Sequence, residues 1–418
     1  MTRSAGALSG LPFPAGFDFT DPAVLARGLP VEEFAALRRT APVRWADQDP
    51  ENGGGFRDGG YWVISKHAHI REISRDPQTW SSHDNGCVMR YTNDVSREEL
   101  EAAKVLMHNS DPPVHTRLRK LISRVFTPRS IVALEAGLVA DARRIVSAAA
   151  AKDDGDFIED VAHQLPMKAI ADLVGFPEDD HEQIFRWSNA IMGAEDPAFT
   201  DDPRAAMVEL MGYSYALAER RKARPADDII TRLVTAGDDG DQLSELEFGY
   251  FILLLVTAGN ETTRNATAIG MQAMLDRPPQ WQLYKRTRPV TAADEIIRWS
   301  SPVNVFQRTA TCDTEIGGVS IRRGERVGLF YGSANYDEDV FDDPFTFDIE
   351  RSPNPHLGFG GTGPHYCIGA NLARLEIDIL FNVIADLIPN IEMVATPIRA
   401  RSGWINGISA MPMRYNGS

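Results

Sequence analysis

Residues 358–369 read Gly358-Phe359-Gly360-Gly361-Thr362-Gly363-Pro364-His365-Tyr366-Cys367-Ile368-Gly369, and the reading of this stretch decides the fold. Gly358, Gly360 and Gly363 satisfy G-x-G-x-x-G, but Asn354-Pro355-His356 before them is no strand, Pro364 blocks an immediate helix and no Lys-Ser/Thr follows. The stretch therefore does not read as a nucleotide fingerprint. Zinc asks for more ligands than one Cys and one nearby His, and the chain has no C-x-x-C. A cysteine nucleophile with His365 as its base would place the pair two residues apart in one loop, which is poor geometry. A single thiolate, presented by a glycine-rich loop to a metal cofactor that needs one protein ligand, fits better. Ile368, Leu372, Leu375 and Ile379 follow at helical spacing, so Cys367 stands at a helix entrance. Free backbone N–H groups and the positive helix end there favour thiolate over thiol. The glycines let the backbone approach a flat macrocycle and aim N–H groups at sulfur. The bland alternative is a structural cysteine in a glycine turn.

Outward from this loop the chain is mostly helical in pattern. The best-marked helix begins at Ser244, where Ser244 and Glu247 form an S-x-x-E capping box, and runs to about Leu275 with apolar residues nearly all round. It is expected to be a central helix, yet its middle reads Ala258-Gly259-Asn260-Glu261-Thr262-Thr263, a break of the local rule where function is expected. A second capping box is expected at Thr291 with Asp294. Strand-like runs sit at Pro42–Trp45 and Tyr61–Ser65, a hairpin around the glycine-rich Asn52–Gly60, and again at Val319–Ile321 and Arg326–Phe330 beside the turn Arg323-Gly324. Helices in the middle with strands near the ends predict a mainly α fold carrying a small β-sheet region, and residues 1–418 as one domain behind a short flexible lead, 1–10. The net charge of −16 speaks against nucleic acid as a partner. Three widely spaced cysteines, Cys87, Cys312 and Cys367, suit a reducing compartment. No secretion signal or transmembrane segment is read, so a cytoplasmic protein is expected.

The loop resembles the haem-binding loop of cytochrome P450 monooxygenases. Gly363, His365 and Gly369 keep the family spacing to Cys367, whereas Phe359 stands eight residues before it instead of seven, an insertion of one residue. The resemblance implies the P450 fold, a triangular prism with a long central helix over the haem. It implies haem b (iron protoporphyrin IX) with Cys367 on the iron and Ala258, Phe359 and Gly369 against the cofactor. Glu295 and Arg298 match the family's E-x-x-R lock. His115 and Arg119, four residues apart on one helix face, are able to donate together to a haem propionate, and Arg308 and His365 match further propionate ligands. Glu261 and Thr262 match the acid and alcohol pair that handles protons while O2, the co-substrate, is cleaved.

No second cofactor signature is present, so electrons are expected from NAD(P)H through a ferredoxin and its reductase. Arg117, Lys120 and Arg124, at i, i+3 and i+7, form a basic stripe suited to an acidic ferredoxin. Gly16–Pro22, Gly53–Phe56, Ala258–Asn265, Phe306–Ala310 and Arg401–Trp404 are similar to bacterial steroid side-chain monooxygenases, which oxidise the terminal methyl of cholesterol or cholest-4-en-3-one to the alcohol and onward to the acid. By position Val88, Tyr91, Val256, Ala258, Phe306 and Trp404 would line an apolar cavity. Rival readings are a methyl-branched fatty acid or macrolide as substrate, or a haem-thiolate sensor or binding protein without turnover.

Overall fold

The computed structural model describes residues 12–14, 16–123, 126–226, 228–235 and 243–416. Arg124 and the lead 1–10 lie outside the described residues. The central helix spans Glu245–Leu275, about 45 Å at about 1.5 Å per residue. Its capping box forms as expected: the Glu247 N–H donates to Ser244 Oγ at 3.2 Å, and the Ser244 N–H donates to Glu247 Oε2 at 2.8 Å. Helices Gln164–Val174, His181–Met192, Pro203–Ala223 and Ala292–Ser300 pack around it. Glycine permits the close approach of two of these helices, since a Cβ at Gly259 would stand 2.4 Å from Ile170 Cδ1 and one at Gly270 2.6 Å from Ile296 Cγ2. Among the described residues no helix is long and apolar enough to cross a membrane.

One five-stranded sheet runs in the order Val43–Asp47, Gly60–Ile64, Arg326–Phe330, Val305–Ala310, Trp80–Ser81. The first pair is the expected hairpin, with Trp45 opposite Trp62. Gly60–Ile64 then pairs parallel with Arg326–Phe330, joining the chain's early and late parts. Val319–Ile321 goes elsewhere, pairing with Thr314–Ile316. Arg326 is fully buried at the centre of the large sheet, where it binds Asp58, Gln48 and Gln307 and lies 4.0 Å over the Phe56 ring.

Helix Ala292–Ser300 carries Glu295 and Arg298, both wholly buried, joined by two bonds of 2.8 Å. Arg298 also donates to the carbonyls of Asn335, Pro344 and Thr346. Glu295 in turn accepts from the Asp348 N–H and Asn354 Nδ2. The pair therefore fixes the path of residues 335–354. Asn335 extends the hold by accepting the Leu357 N–H at 2.6 Å, one residue before the glycine-rich loop.

The second capping box does not form. Thr291 has helical angles and makes no capping bond, its hydroxyl donating instead to Ile349 O at 2.6 Å. Asp294 accepts from His356 at 3.0 Å and Arg374 at 2.7 Å. Tertiary partners take both side chains from the helix end.

Glu295→Gln keeps the shape but leaves the Arg298 charge buried without its counter-ion, so folding stability should fall by roughly 3–5 kcal/mol. Denaturant unfolding of the substituted and parent proteins measures this, and a loss below about 1 kcal/mol would contradict the role given to the pair.

Candidate active site

The glycine-rich loop turns through left-handed backbone at Gly360 (φ +97°), Thr362 (φ +78°) and Gly363 (φ +79°). It lies against helix His67–Arg75: a Cβ on Gly363 would stand 2.1 Å from Ser74 O, and Arg75 Nε donates to Thr362 Oγ1 at 2.9 Å. The Cys367 N–H donates to Phe359 O at 3.0 Å, so the inserted residue is absorbed inside a closed turn. The Phe359 ring lies under the Arg374 guanidinium at 4.5 Å and edge-on to Tyr366 at 6.3 Å.

Cys367 precedes helix Ala370–Leu387, for which Gly369 is the N-cap. It keeps accessible surface although protein crowds it closely. Burial pushes its thiol up, against the downward pull of the Gly369 and Ala370 N–H groups and of Arg119 and Arg374. The helix end is thus present as expected but does not by itself outweigh burial. A cation on the sulfur would hold the thiolate.

The central helix packs against the helix that follows Cys367. Its middle is buried apart from a strip where Leu254 and Thr262 are half-buried and Ala258, one turn from each, is exposed, and apart from the half-buried Gly259 next to Ala258. Thr262 Oγ1 donates to Ala258 O at 2.8 Å, and the helix continues unbroken past it. Glu261 is buried in an ion pair with Arg264 and accepts from Asn265 Nδ2 at 2.9 Å. Beside the pair is a cavity of about 20 Å³, lined by Asn189, Asp196, Arg401 and Ser402 among others, room for about one water. Asn260, fully buried, finds no partner for either amide atom among the described residues.

A second cluster gathers cations and imidazoles. The His115 and His365 rings lie 4.2 Å apart, and His365 Nε2 shares a hydrogen bond of 3.1 Å with Ser82 Oγ. Arg308 is 5% exposed and donates to Gln307 O at 2.6 Å. Burial, with Arg119 and Arg308, pushes His115 down to about 4. Burial, followed by Arg308, His115, His108 and Arg119, pushes His365 far below the ordinary range. Among the described residues the buried Nδ1 atoms of His115 and His108 find no partner. Two guanidinium groups beside neutral imidazoles, each of which has one N–H to donate, suit an anion. With Cys367 and the strip of Ala258 and Thr262, they fit a flat iron macrocycle bearing carboxylate arms.

Apart from Ala258 on its strip, all but one of the expected cavity residues lie on or near the aromatic group around Phe306 or the Phe56 side of the chain. Phe306 stacks on Trp404 (centroids 5.8 Å apart) and on His108 (6.4 Å). Tyr91 is half-buried beside Phe56, and Val88 is 8% exposed. Val256 is the exception: it is wholly buried in the main hydrophobic cluster, two residues from Ala258 and so about 200° around the helix. Of the basic stripe, Lys120 is exposed, while Arg117 is bound to Glu247 of the central capping box. His108, Ser82, Arg264 and Arg374 are site neighbours that sequence reasoning missed. Arg264, three residues after Glu261, carried a readable signal as a helical ion pair.

The cytochrome P450 family profile matches residues 290–385. A steroid C26-monooxygenase of Rhodococcus jostii is 54% identical, with 96% of this chain and 85% of that protein covered. The steroid C26-monooxygenase of Mycobacterium tuberculosis H37Rv is 53% identical, with 97% of this chain and 94% of that protein covered. Among solved structures, a Mycobacterium marinum cytochrome P450 in complex with pseudoionone superposes with a TM-score of 0.86 at 35% identity, covering 97% of this chain and 100% of that one.

Gly363→Ala introduces both backbone strain and the overlap with Ser74 O, and should destabilise the loop by about 2–4 kcal/mol. Gly360→Ala meets only His365 O at 3.7 Å and should show the strain alone, about 1–2 kcal/mol. The ratio of Soret to protein absorbance after purification reads haem retention. Equal retention in both variants would contradict the close seating of the loop on Ser74.

Proposed function

The chain belongs to the cytochrome P450 family, and on that premise we propose that it is a steroid side-chain monooxygenase hydroxylating the terminal methyl of cholesterol or cholest-4-en-3-one, with onward oxidation to the acid. The observation that carries this reading is the 53–54% identity, over 96–97% of the chain, to proteins named steroid C26-monooxygenase. The reading takes 1–418 as one domain, supported by a sheet that joins Gly60–Ile64 to Arg326–Phe330. It puts the protein in the cytoplasm, in keeping with three unpaired cysteines.

Each residue then has work. Cys367 supplies the thiolate, and His115, Arg119, Arg308 and His365 hold the propionates. Phe359 and Gly369 shape the sulfur side, and Ala258 leaves space on the opposite side. When bound, haem supplies the binding and reductive activation of O2, which the cysteinate favours. Thr262, its hydroxyl held on Ala258 O, positions a proton donor on the accessible strip. Glu261 relays protons from the buried side, where Arg264 and Asn265 orient its carboxyl group. Phe306, Trp404, Tyr91 and Val88 provide an apolar wall that holds a sterol and directs its alkyl tail. Positioning must decide the regiochemistry, since a primary C–H is stronger than its neighbours and loses to them in a mobile tail.

Each hydroxylation takes two electrons and two protons, one oxygen atom entering the substrate and the other leaving as water. NAD(P)H, a reductase and a ferredoxin would supply the electrons. The exposed Lys120 would serve the ferredoxin's acidic surface, whereas Arg117 is shared with Glu247.

Titration with cholest-4-en-3-one should move the haem to high spin, and turnover with a ferredoxin system should give the terminal alcohol and acid by mass spectrometry. Binding without NADPH-dependent product would point to a sensor, and failure to bind would overturn the substrate. Thr262→Ala should keep consuming NADPH while product per NADPH falls several-fold, and Glu261→Gln should slow turnover by roughly 100-fold. Unchanged coupling and rate in both would remove these two roles.

A further inference from the structure

His108 has no role in the scheme above, yet it sits where the aromatic wall meets the anion cradle. Its ring lies 10° from parallel with Phe306, which stacks in turn on Trp404, so its plane is set from one side. Its backbone is held through the next residue: Asn109 is fully buried, its Oδ1 accepting the Cys87 N–H at 2.8 Å and its Nδ2 donating to Ala103 O at 2.9 Å. A fixed ring on a fixed backbone suits a polar contact that must be aimed.

The ring nitrogens show what kind of contact. Nδ1 is buried and has no partner. A neutral imidazole carries one N–H, and burying that N–H unpaired would cost the full desolvation penalty of a donor. The proton therefore belongs on Nε2, on a side chain that keeps some accessible surface. On that assignment Nε2–H is the donor the ring has left to give.

The surroundings decide what it donates to. Burial and the Arg308 charge push His108 down to about 4, and among the described residues no carboxylate acts on it. Phe306, on which it stacks, and Arg308 are two residues apart on strand Val305–Ala310 and so share one face of the sheet, which places His108 at the cradle. His115 has an unpaired buried Nδ1 as well, so both imidazoles would present Nε2–H. Among the described residues the carboxylate that acts on this cluster is Asp111, and it acts on His115.

We propose that His108 is a further donor of the cradle, giving its Nε2–H to a carboxylate arm of the bound haem beside Arg308. This rests on the haem-thiolate reading and adds a ligand that the loop and helix motifs do not contain. His108 is seven residues before His115, but Asp111-Pro112-Pro113 separates them, so no helical spacing relates the two. Its place under Phe306 also joins the propionate edge of the cofactor to the wall of the substrate cavity.

The test uses holoprotein. His108→Phe keeps a flat ring against Phe306 and removes the donor, while His108→Gln returns an amide N–H near the position of Nε2. Transfer of haem to excess apomyoglobin should be about 10-fold to about 100-fold faster from His108→Phe and within about 3-fold of the parent for His108→Gln. The propionate-bending bands in the resonance Raman spectrum should shift in the Phe variant and return in the Gln variant. Should the Phe variant fail to fold, His108→Met carries the same expectation. Parent-like haem release and bands in the apolar variant would overturn the proposal. So would a defect confined to the sterol-induced spin change, which would assign His108 to the substrate. Loss of thiolate spectral character in the unsubstituted protein would instead strike the underlying reading.

Discussion

The buried bidentate pair of Glu295 and Arg298 is the constraint on which the rest of the structure depends. Taken out of water, two such charges gain little net stability, because desolvation offsets most of their attraction. Their value lies in the partners they demand. Arg298 needs the carbonyls of Asn335, Pro344 and Thr346, and Glu295 needs the Asp348 N–H and Asn354, so one path of the backbone satisfies them all. Asn335 passes the hold to Leu357, and the loop that presents Cys367 begins one residue later. A site built from an irregular, glycine-rich segment obtains its rigidity this way, from a satisfied polar network behind it.

Charge is distributed with the same economy. The chain as a whole carries −16, yet the groups acting on His115 and His365 are almost all cations or neutral imidazoles. Their mutual repulsion makes an anion the natural partner, and the carboxylate arms of haem meet that need. At the sulfur the helix end and two guanidinium groups work against burial and lose. Iron bound at the sulfur would reverse that balance. On the proposed reading, protein and cofactor would complete one another's electrostatics at two places, the thiolate and the propionates.

What was legible in the sequence was local. The Ser244 and Glu247 cap, the hairpin at Trp45 and Trp62, and the ion pair at Glu295 and Arg298 each follow from spacing along one element. The glycine-rich loop was readable because few backbones other than a ligand loop need so many glycines before a lone cysteine. What was missed depended on tertiary competition. Thr291 and Asp294 spell a capping box, but Ile349, His356 and Arg374 claim their side chains. Val256 is apolar like a cavity residue, and only its rotation around the helix puts it in the core. Arg117 matched a basic stripe until the central helix brought Glu247 to it. His108 gave no periodic signal at all, because folding alone brings it beneath Phe306 and near Arg308.

The central claim is that the sulfur of Cys367 is the protein ligand of iron. Reduction of the holoprotein under carbon monoxide tests it most directly. Thiolate ligation predicts a strongly red-shifted Soret band, lost in Cys367→His while haem is still bound. A band at the unshifted position in the parent, or a red-shifted band that persists after the substitution, would contradict the account.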